Sequence, residues 1–208
     1  TNPVTGRSWS RAAQADTIVT VNGEALALGT SAGFQFAGAE TSKDTSGVEL
    51  RLVFEHAGRH VRAVRHYVCY EGAPVIETYT VFTGIGGAAS LGSLNAWRLT
   101  VPRGQLRWLT GLPTSDSGTG FTLQYRTLAG SDRLELGSDG RSSESVVPWV
   151  ALEVEGQQFF GGIMWSGAWT MTIAASAERL DITAGLPAMT TSLAEGATIE
   201  APHGFFGV

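Results

Sequence analysis

Polar and apolar residues alternate along much of the chain, most regularly between residues 48 and 82. Four apolar residues occupy every second position at the start of this region, with charged residues at 49 and 51: Val48, Leu50, Leu52 and Phe54. Because successive side chains of a β-strand point to opposite faces, this period of two predicts a strand with one apolar and one solvated face. Strands at 60–70 and 75–82 follow across short turns, so the region predicts an antiparallel meander.

Shorter alternating segments predict further strands in the rest of the chain. The pair Asn22-Gly23 is typical of a two-residue hairpin turn and separates two of them. The other predicted strands are 94–101, 105–109, 121–125, 133–136, 149–154, 158–164, 169–174 and 180–183. Polar or glycine-rich stretches predict a frayed or edge segment at 1–16 and loops at 39–47, 84–92 and 111–120. No helical periodicity extends beyond two turns, so we expect one all-β domain, residues 1–208, built as a sandwich of two large antiparallel sheets.

Composition and charge narrow the classes of function. The chain has 208 residues, 43% hydrophobic and 16% charged, which is typical of a globular protein. A net charge of −5 without a basic cluster argues against nucleic acid as a partner, and no apolar run is long enough to predict a membrane helix. Cys69 is the sole cysteine, which excludes an internal disulfide, and its strand-like surroundings predict buried packing. No signal peptide is evident, and both a cytoplasmic and a secreted location remain open.

Several familiar catalytic patterns are absent or incomplete. The glycines of 83–90 follow a predicted strand but precede no helix, as a dinucleotide site would require. Residues 140–144 lack the second glycine of a nucleophile elbow. The histidines show no metal-ligand spacing, and His60 and His66, expected on one face of the same strand, are too far apart to share an ion. We therefore expect no metal and no cofactor.

Indole groups stand beside small polar residues between positions 140 and 169. Trp165 and Trp169 flank the sequence Ser-Gly-Ala. An indole in a loop can stack on the C–H groups of a sugar while neighbouring N–H and O–H groups form hydrogen bonds, although most tryptophans fill cores. The prediction is a loop end that faces a sugar or a partner domain and comprises Trp165, Ser166, Gly167, Trp169, Arg141, Ser142 and Ser143.

Four motifs carry a resemblance to a known family. They are Gly140-Arg141-Ser142-Ser143 with Pro148, Trp165-Ser166-Gly167-Ala168-Trp169, Gly185-Leu186-Pro187, and Leu193-Ala194-Glu195-Gly196 followed by Ala201-Pro202. In order and spacing they resemble the N-terminal domain of family 36 glycoside hydrolases, the microbial α-galactosidases. The chain departs from the family pattern at Glu144, where a histidine is usual, and at Ala168, where an asparagine is usual. Around 109–111 it also lacks a tryptophan followed by Arg-Glu that approaches the sugar in relatives.

The resemblance implies an antiparallel β-supersandwich of the galactose-mutarotase-like type. It also implies a catalytic (β/α)8 barrel after residue 208, where the two catalytic aspartates would lie, so that this chain would contain no catalytic residue. The expected partners are that barrel, α-linked sugars through the complete enzyme, and, in a homo-oligomer, other copies of the same protein.

Three hypotheses follow. The first is a non-catalytic N-terminal domain that packs on a glycoside hydrolase barrel and shapes the rim of its sugar site. The second is a free-standing carbohydrate-binding sandwich. The third is a mutarotase-like enzyme, which requires a histidine and a glutamate that converge on one sheet.

Overall fold

The computed structural model describes residues 17–29, 34–112, 120–154 and 156–208, and within them the chain forms two antiparallel sheets. The seven-stranded sheet contains β1 (Ile18–Val21), β2 (Glu24–Ala27), β7 (Ala89–Pro102), β10 (Arg133–Ser138), β13 (Trp169–Ala175), β14 (Arg179–Gly185) and β15 (Thr191–Leu193). The ten-stranded sheet contains β3 (Gln35–Lys43), β4 (Gly47–His56), β5 (Val61–Tyr70), β6 (Val75–Gly84), β8 (Gln105–Thr110), β9 (Leu123–Thr127), β11 (Val146–Val154), β12 (Gln157–Met164), β16 (Thr198–Glu200) and β17 (His203–Gly207). A single turn of 3-10 helix, Ala57–Arg59, is the helical structure in these ranges.

Strand order shows how distant parts of the chain meet. The smaller sheet runs β10-β13-β14-β7-β1-β2, with β15 also paired to β7. The larger sheet runs β3-β4-β5-β6-β17-β12-β11-β8-β9, with β16 also paired to β6. The last strand, β17, therefore lies between β6 and β12 in the middle of the larger sheet. The predicted all-β, two-sheet architecture is confirmed, as is the meander of β4, β5 and β6.

The core lies between the sheets and has two clusters of buried side chains. One is centred on Trp97 and Trp169 and takes residues from both sheets, and the other surrounds Phe54 and Phe82. The alternating pattern of β5 and β6 turns one face of each strand into this core and leaves the other open. We call that second side the open face of the larger sheet.

Two of the predicted loops are wrong in part. Residues 39–43 belong to β3, an edge strand on which nearly every side chain is exposed, so a polar sequence suits it. Residues 89–92 begin β7. The side chain of Thr20 from β1 packs so closely against Gly92 that a Cβ at position 92 would overlap it. The 1–16 segment and most of the predicted loop at 111–120 lie outside the described residues.

Two single-residue expectations are also wrong. Cys69 is exposed, because it lies near the end of β5, where the last two residues of the strand are both exposed. His60 is not on β5 with His66, because it adopts a left-handed conformation (φ 61°) in the turn that precedes the strand.

Trp97 connects the two sheets. Its side chain is fully buried, and its indole N–H donates a hydrogen bond of 2.8 Å to the carbonyl oxygen of Gly162 on β12. The ring lies against Gly161 of β12 and Gly204 of β17, where a Cβ would meet the indole. The larger sheet therefore needs residues without side chains at these points of contact.

We expect Gly204→Ala to destabilise the chain. The added methyl group would overlap Cδ1 of Trp97, and overpacking of this kind costs about 1–3 kcal/mol. Urea denaturation measures the loss, and Gly38→Ala is the matched control because nothing lies within 4 Å of a Cβ there. Equal stability of the two variants would show that the Trp97 contact is not a constraint.

Candidate functional site

Backbone hydrogen bonds join three segments around residues 111–112, 139–145 and 165–168. The amide N–H of Ser142 donates to the carbonyl oxygen of Ser166 at 3.3 Å, and that of Leu112 donates to the carbonyl oxygen of Ser143 at 3.0 Å. The hydroxyl of Ser138 donates to the carbonyl oxygen of Arg141 at 2.6 Å. The loop 139–145 is therefore held by backbone bonds to both of its neighbours.

Arg141 and Glu144 close this loop. The amide N–H of Glu144 donates to the carbonyl oxygen of Arg141 at 3.0 Å, and the two side chains form an ion pair at 3.7 Å. The side chain of Arg141 is 73% exposed, so it remains available to a partner molecule. Hydroxyl groups from Ser142 and Ser143 stand at the same place, both half-buried.

The two tryptophans of the motif have different environments. Trp169 is 2% exposed, and its indole N–H donates to the carbonyl oxygen of Ser142 at 2.6 Å. Trp165 is 42% exposed, and its ring lies over Gly167, whose missing side chain leaves room for it. In this structure Trp169 anchors the loop from inside, and Trp165 carries the indole that a ligand or partner could reach.

Exposed apolar side chains accompany Trp165. We call this set the apolar rim, comprising Leu112, Phe121, Met164 and Trp165, which are 39%, 52%, 44% and 42% exposed. Leu112 and Phe121 lie on either side of residues 113–119, which are outside the described ranges. Phe121 adopts a left-handed conformation (φ 56°). Isolated exposed apolar residues are common, but several on hydrogen-bonded neighbouring segments are typical of an interaction surface.

A second cluster, which the sequence did not reveal, crosses the open face of the larger sheet. We call it the polar row, and its members are Glu49, His66, Tyr79, Glu77, His203 and Glu200. Tyr79 is stacked between the two histidine rings, at 4.2 Å from His66 and 3.9 Å from His203 between ring centroids. The planes are almost parallel, at 9° and 2°.

Carboxylates hold both histidines in place. Nδ1 of His66 lies 2.7 Å from Oε1 of Glu49. Nδ1 of His203 lies 2.5 Å from Oε1 of Glu77, and its Nε2 lies 3.0 Å from Oε1 of Glu200. The hydroxyl of Tyr70 donates to the other oxygen of Glu77. Each imidazole therefore has a fixed orientation on the open face.

The same contacts perturb three ionisable groups. The hydrogen bond from His66, helped by the charges of His66 and Arg51, holds the pKa of Glu49 below its ordinary value, although partial burial acts in the opposite direction. The hydrogen bond to Glu77, with burial, raises the pKa of Tyr70 to about 12. Burial, with the charges of Glu49, Glu200 and Glu77, raises the pKa of Tyr79.

The alternating pattern contained part of the signal for this cluster. It places Glu77 and Tyr79 on one face of β6 and His66 on one face of β5. The neighbourhood of His203 was not predictable, because no strand was expected at 203–207 and the pairing of β17 with β6 joins distant parts of the chain. The other histidines lie elsewhere, with His56 against the ring of Phe34 and His60 beside Gly87.

Within the described residues, no group of three or more metal-ligating side chains comes together. The same part of the chain contains no helix that is long and apolar enough to cross a membrane.

The two antiparallel sheets define a class of fold, the all-β sandwich. No protein-family model matches the chain, and no curated protein matches it by sequence. Solved structures do match the chain in fold. A putative aldose 1-epimerase of Escherichia coli K12 matches with a TM-score of 0.52 and 13% identity, over 81% of this chain and 68% of its own.

The α-galactosidases match more of the chain. GH36 α-galactosidase AgaA of Geobacillus stearothermophilus matches with a TM-score of 0.76 and 16% identity, over 92% of this chain and 29% of its own. A variant of AgaA in complex with stachyose gives 0.77 and 17%, over 99% and 31%. The α-galactosidase of Lactobacillus brevis gives 0.71 and 16%, over 99% and 31%.

The comparisons confirm, at the level of structure, the resemblance to family 36 glycoside hydrolases that the motifs indicated. Identities this low show a shared fold and nothing finer. The chain spans about a third of the length of the α-galactosidases that it matches, which is consistent with one domain of a larger protein.

The Glu49–His66 bond predicts a stability change in acid. A carboxyl group whose pKa is lower in the folded than in the unfolded chain stabilises the fold above the unfolded value, and the contribution is lost as the pH falls through the folded value. We expect the free energy of unfolding of the wild-type chain to fall more steeply below about pH 4.5 than that of Glu49→Gln, with the variant less stable at neutral pH.

Denaturant unfolding at a series of pH values measures both slopes. The matched control is Glu55→Gln, which changes a carboxylate on the same face of β4 and leaves the Glu49–His66 bond intact. Identical slopes for the wild-type chain and Glu49→Gln would contradict the assignment.

Proposed function

We propose that this chain is the non-catalytic N-terminal β-supersandwich domain of an α-galactosidase-like glycoside hydrolase, and that its rim packs on a catalytic barrel and shapes the sugar site. The observation that carries the proposal is the extent of the structural match. It covers 99% of this chain and 31% of the stachyose-bound AgaA variant, so a domain of the same fold exists within a much longer enzyme.

The apolar rim supports the docking role. Its residues lie on neighbouring segments whose backbones are hydrogen-bonded to one another, so the surface is presented in a defined shape. Burial of such a surface against a partner gains roughly 25 cal/mol for each Å² of apolar area removed from water. Arg141 adds an exposed guanidinium, which can donate to carboxylates or carbonyl groups of a partner domain.

The roles of the loop residues follow from their contacts. Backbone hydrogen bonds of Ser142, Ser143 and Ser166 hold the loops that, with Gly167, would face the barrel or sugar. Trp169 positions this surface through its bond to Ser142. Trp165 is the residue that would touch the sugar or the barrel, because its indole is the exposed one.

A free-standing carbohydrate-binding module is a second candidate, favoured by the same exposed indole of Trp165. A mutarotase-like enzyme is a third, favoured by the Glu77–His203 pair. That pair lies on β6 and β17, in the middle of the larger sheet, where the hypothesis required a histidine and a glutamate to converge. Mutarotation needs proton transfer to and from a sugar, which an oriented imidazole can perform.

We expect this chain alone to be catalytically inactive. Incubation with raffinose should release no galactose, and NMR of freshly dissolved α-D-galactose should show anomer exchange at the rate of buffer. The physical reason is that the proposed domain contributes a wall and not the reacting carboxylates. Accelerated exchange that disappears in His203→Ala would favour the mutarotase-like function, and release of galactose would contradict the proposal outright.

The gene is expected to continue beyond the codon for Val208 into a barrel with paired aspartates. In that whole protein, Trp165→Ala should raise the KM for raffinose or weaken domain docking by about two- to tenfold, the range expected for one lost aromatic contact. Phe36→Ala is the control, because Phe36 is 60% exposed on β3, at the far edge of the larger sheet. A stop codon directly after residue 208, or equal effects of the two variants, would contradict the proposed role.

A further inference from the structure

The larger sheet ends on one side in β9, and no other described strand pairs with the outer edge of β9. Four of the five side chains of this strand are exposed, and the fifth is half-buried. Arg126 shares a face with its buried neighbour Leu106, yet its side chain is 50% exposed, so the smaller sheet does not cover it. The strand therefore projects from the sandwich with both faces accessible to a partner.

The backbone of β9 directs half of its hydrogen-bonding groups outward. The amide N–H of Thr110 donates to the carbonyl oxygen of Thr122 at 3.0 Å, and residues that bond across an antiparallel pair alternate with residues that do not. The even-numbered residues of β9 therefore bond to β8. The odd-numbered residues, Leu123, Tyr125 and Thr127, direct their N–H and C=O groups away from it. Within the described residues, no loop or turn supplies these groups with a backbone partner.

Exposed apolar side chains accompany these backbone groups. Leu123 and Tyr125 lie on the open face of the larger sheet, and both are exposed. Tyr125 is 69% exposed, more than any other large hydrophobic side chain in the described part of the molecule. An added strand binds through main-chain hydrogen bonds and through contacts of alternate side chains. The outer edge of β9 offers both.

The other sheet edges have features that disfavour such pairing. A register shift between Phe36 and Gly38 interrupts β3, β2 has only four residues, and β10 carries charges at Arg133 and Glu135. Bulges, short strands and charged side chains are common protections of exposed edges. In contrast, β9 pairs with β8 in a regular register, and its side chains on the open face are uncharged.

The sequence of β9 is complementary to itself in one antiparallel register. This register places Tyr125 opposite Tyr125 of the partner subunit, and Leu123 opposite Thr127 of the partner subunit. These residues have the outward backbone groups, so each pair can exchange hydrogen bonds. On the other face, Gln124 lies opposite Arg126 of the partner subunit, and its amide oxygen can accept from the guanidinium. No like charges meet, and each contact occurs twice about a two-fold axis.

We propose that two copies of this chain associate through β9, so that their larger sheets form one continuous antiparallel sheet across a two-fold axis at Tyr125. A second copy is the occupant that the register selects, because it presents a complementary group to every outward group of β9. The pairing involves neither Trp165 nor a barrel and thus goes beyond the proposed docking function. An interface built on one short strand is small, so we expect a weak dimer.

Sedimentation equilibrium over a series of protein concentrations tests the association. The weight-average mass should rise from 21.9 kDa toward twice that value. Tyr125→Lys should weaken dimerisation roughly tenfold, because two lysine side chains would lie directly opposite each other in place of two tyrosines. The matched control is Phe36→Lys, which changes an exposed aromatic residue on the edge strand β3 and should dimerise as the wild-type chain does.

Cysteine cross-linking tests the register. In a Cys69→Ser background, which removes the exposed native thiol, Tyr125→Cys should form a disulfide between subunits under mild oxidation. Its two Cα atoms would lie about 5.5 Å apart, within the range of disulfides. Leu123→Cys is the control, because its two copies would be offset by four residues along the strands, roughly 14 Å apart, and should not cross-link.

Three outcomes would overturn the proposal. The first is a mass that stays at 21.9 kDa up to a concentration of about 1 mM. The second is dimerisation that is unchanged in Tyr125→Lys, because it would place the interface elsewhere. The third is cross-linking of Leu123→Cys as fast as that of Tyr125→Cys, because it would contradict the register. None of these outcomes bears on docking to a barrel, which depends on Trp165 in the whole protein.

Discussion

The insertion of Trp97 between the sheets is the constraint on which the rest of this structure depends. A fully buried indole contributes a large apolar surface, but its N–H must find a partner, and the carbonyl oxygen of Gly162 supplies it. The ring then requires that β12 and β17 approach without side chains, at Gly161 and Gly204. One residue thus determines both the distance between the sheets and the sequence that faces it.

That constraint also positions the chemistry on the other side of the larger sheet. Gly204 faces Trp97, and its neighbour His203 therefore points to the open face, where it stacks on Tyr79. On β12, Met164 pairs with His203 and is followed at once by Trp165. The apolar rim begins where this strand ends, and the polar row begins one strand away. A shift of one residue in β17 would turn His203 to the opposite face, and a shift in β12 would do the same to Met164.

The alternation predicted the strands in which a buried face contrasts with a solvated one over many residues. In β4 and β5 the contrast between faces is strong, and their pairing was predictable from the alternation. Prediction failed for β3, because both of its faces are exposed and its sequence therefore does not alternate. It also failed for the start of β7, where Gly92 allows the close approach of Thr20 and does not form a turn. The local sequence pattern indicates which side chains are buried. The two missed segments are strands for other reasons, namely position at a sheet edge and contact with distant strands.

The candidate site also has one part that was predictable from the sequence and one part that was not. The motif around Trp165 and Trp169 was predictable as a loop end, because its residues are neighbours in sequence, but which indole is exposed depends on packing against the core. The row of His66, Tyr79 and His203 was not predictable, because it exists only through the register of three strands. The open face here carries oriented carboxylates and imidazoles, whereas a surface with no role beyond solubility requires only dispersed charges. Holding three rings and their carboxylates in one arrangement costs conformational entropy, which the contacts within the row offset.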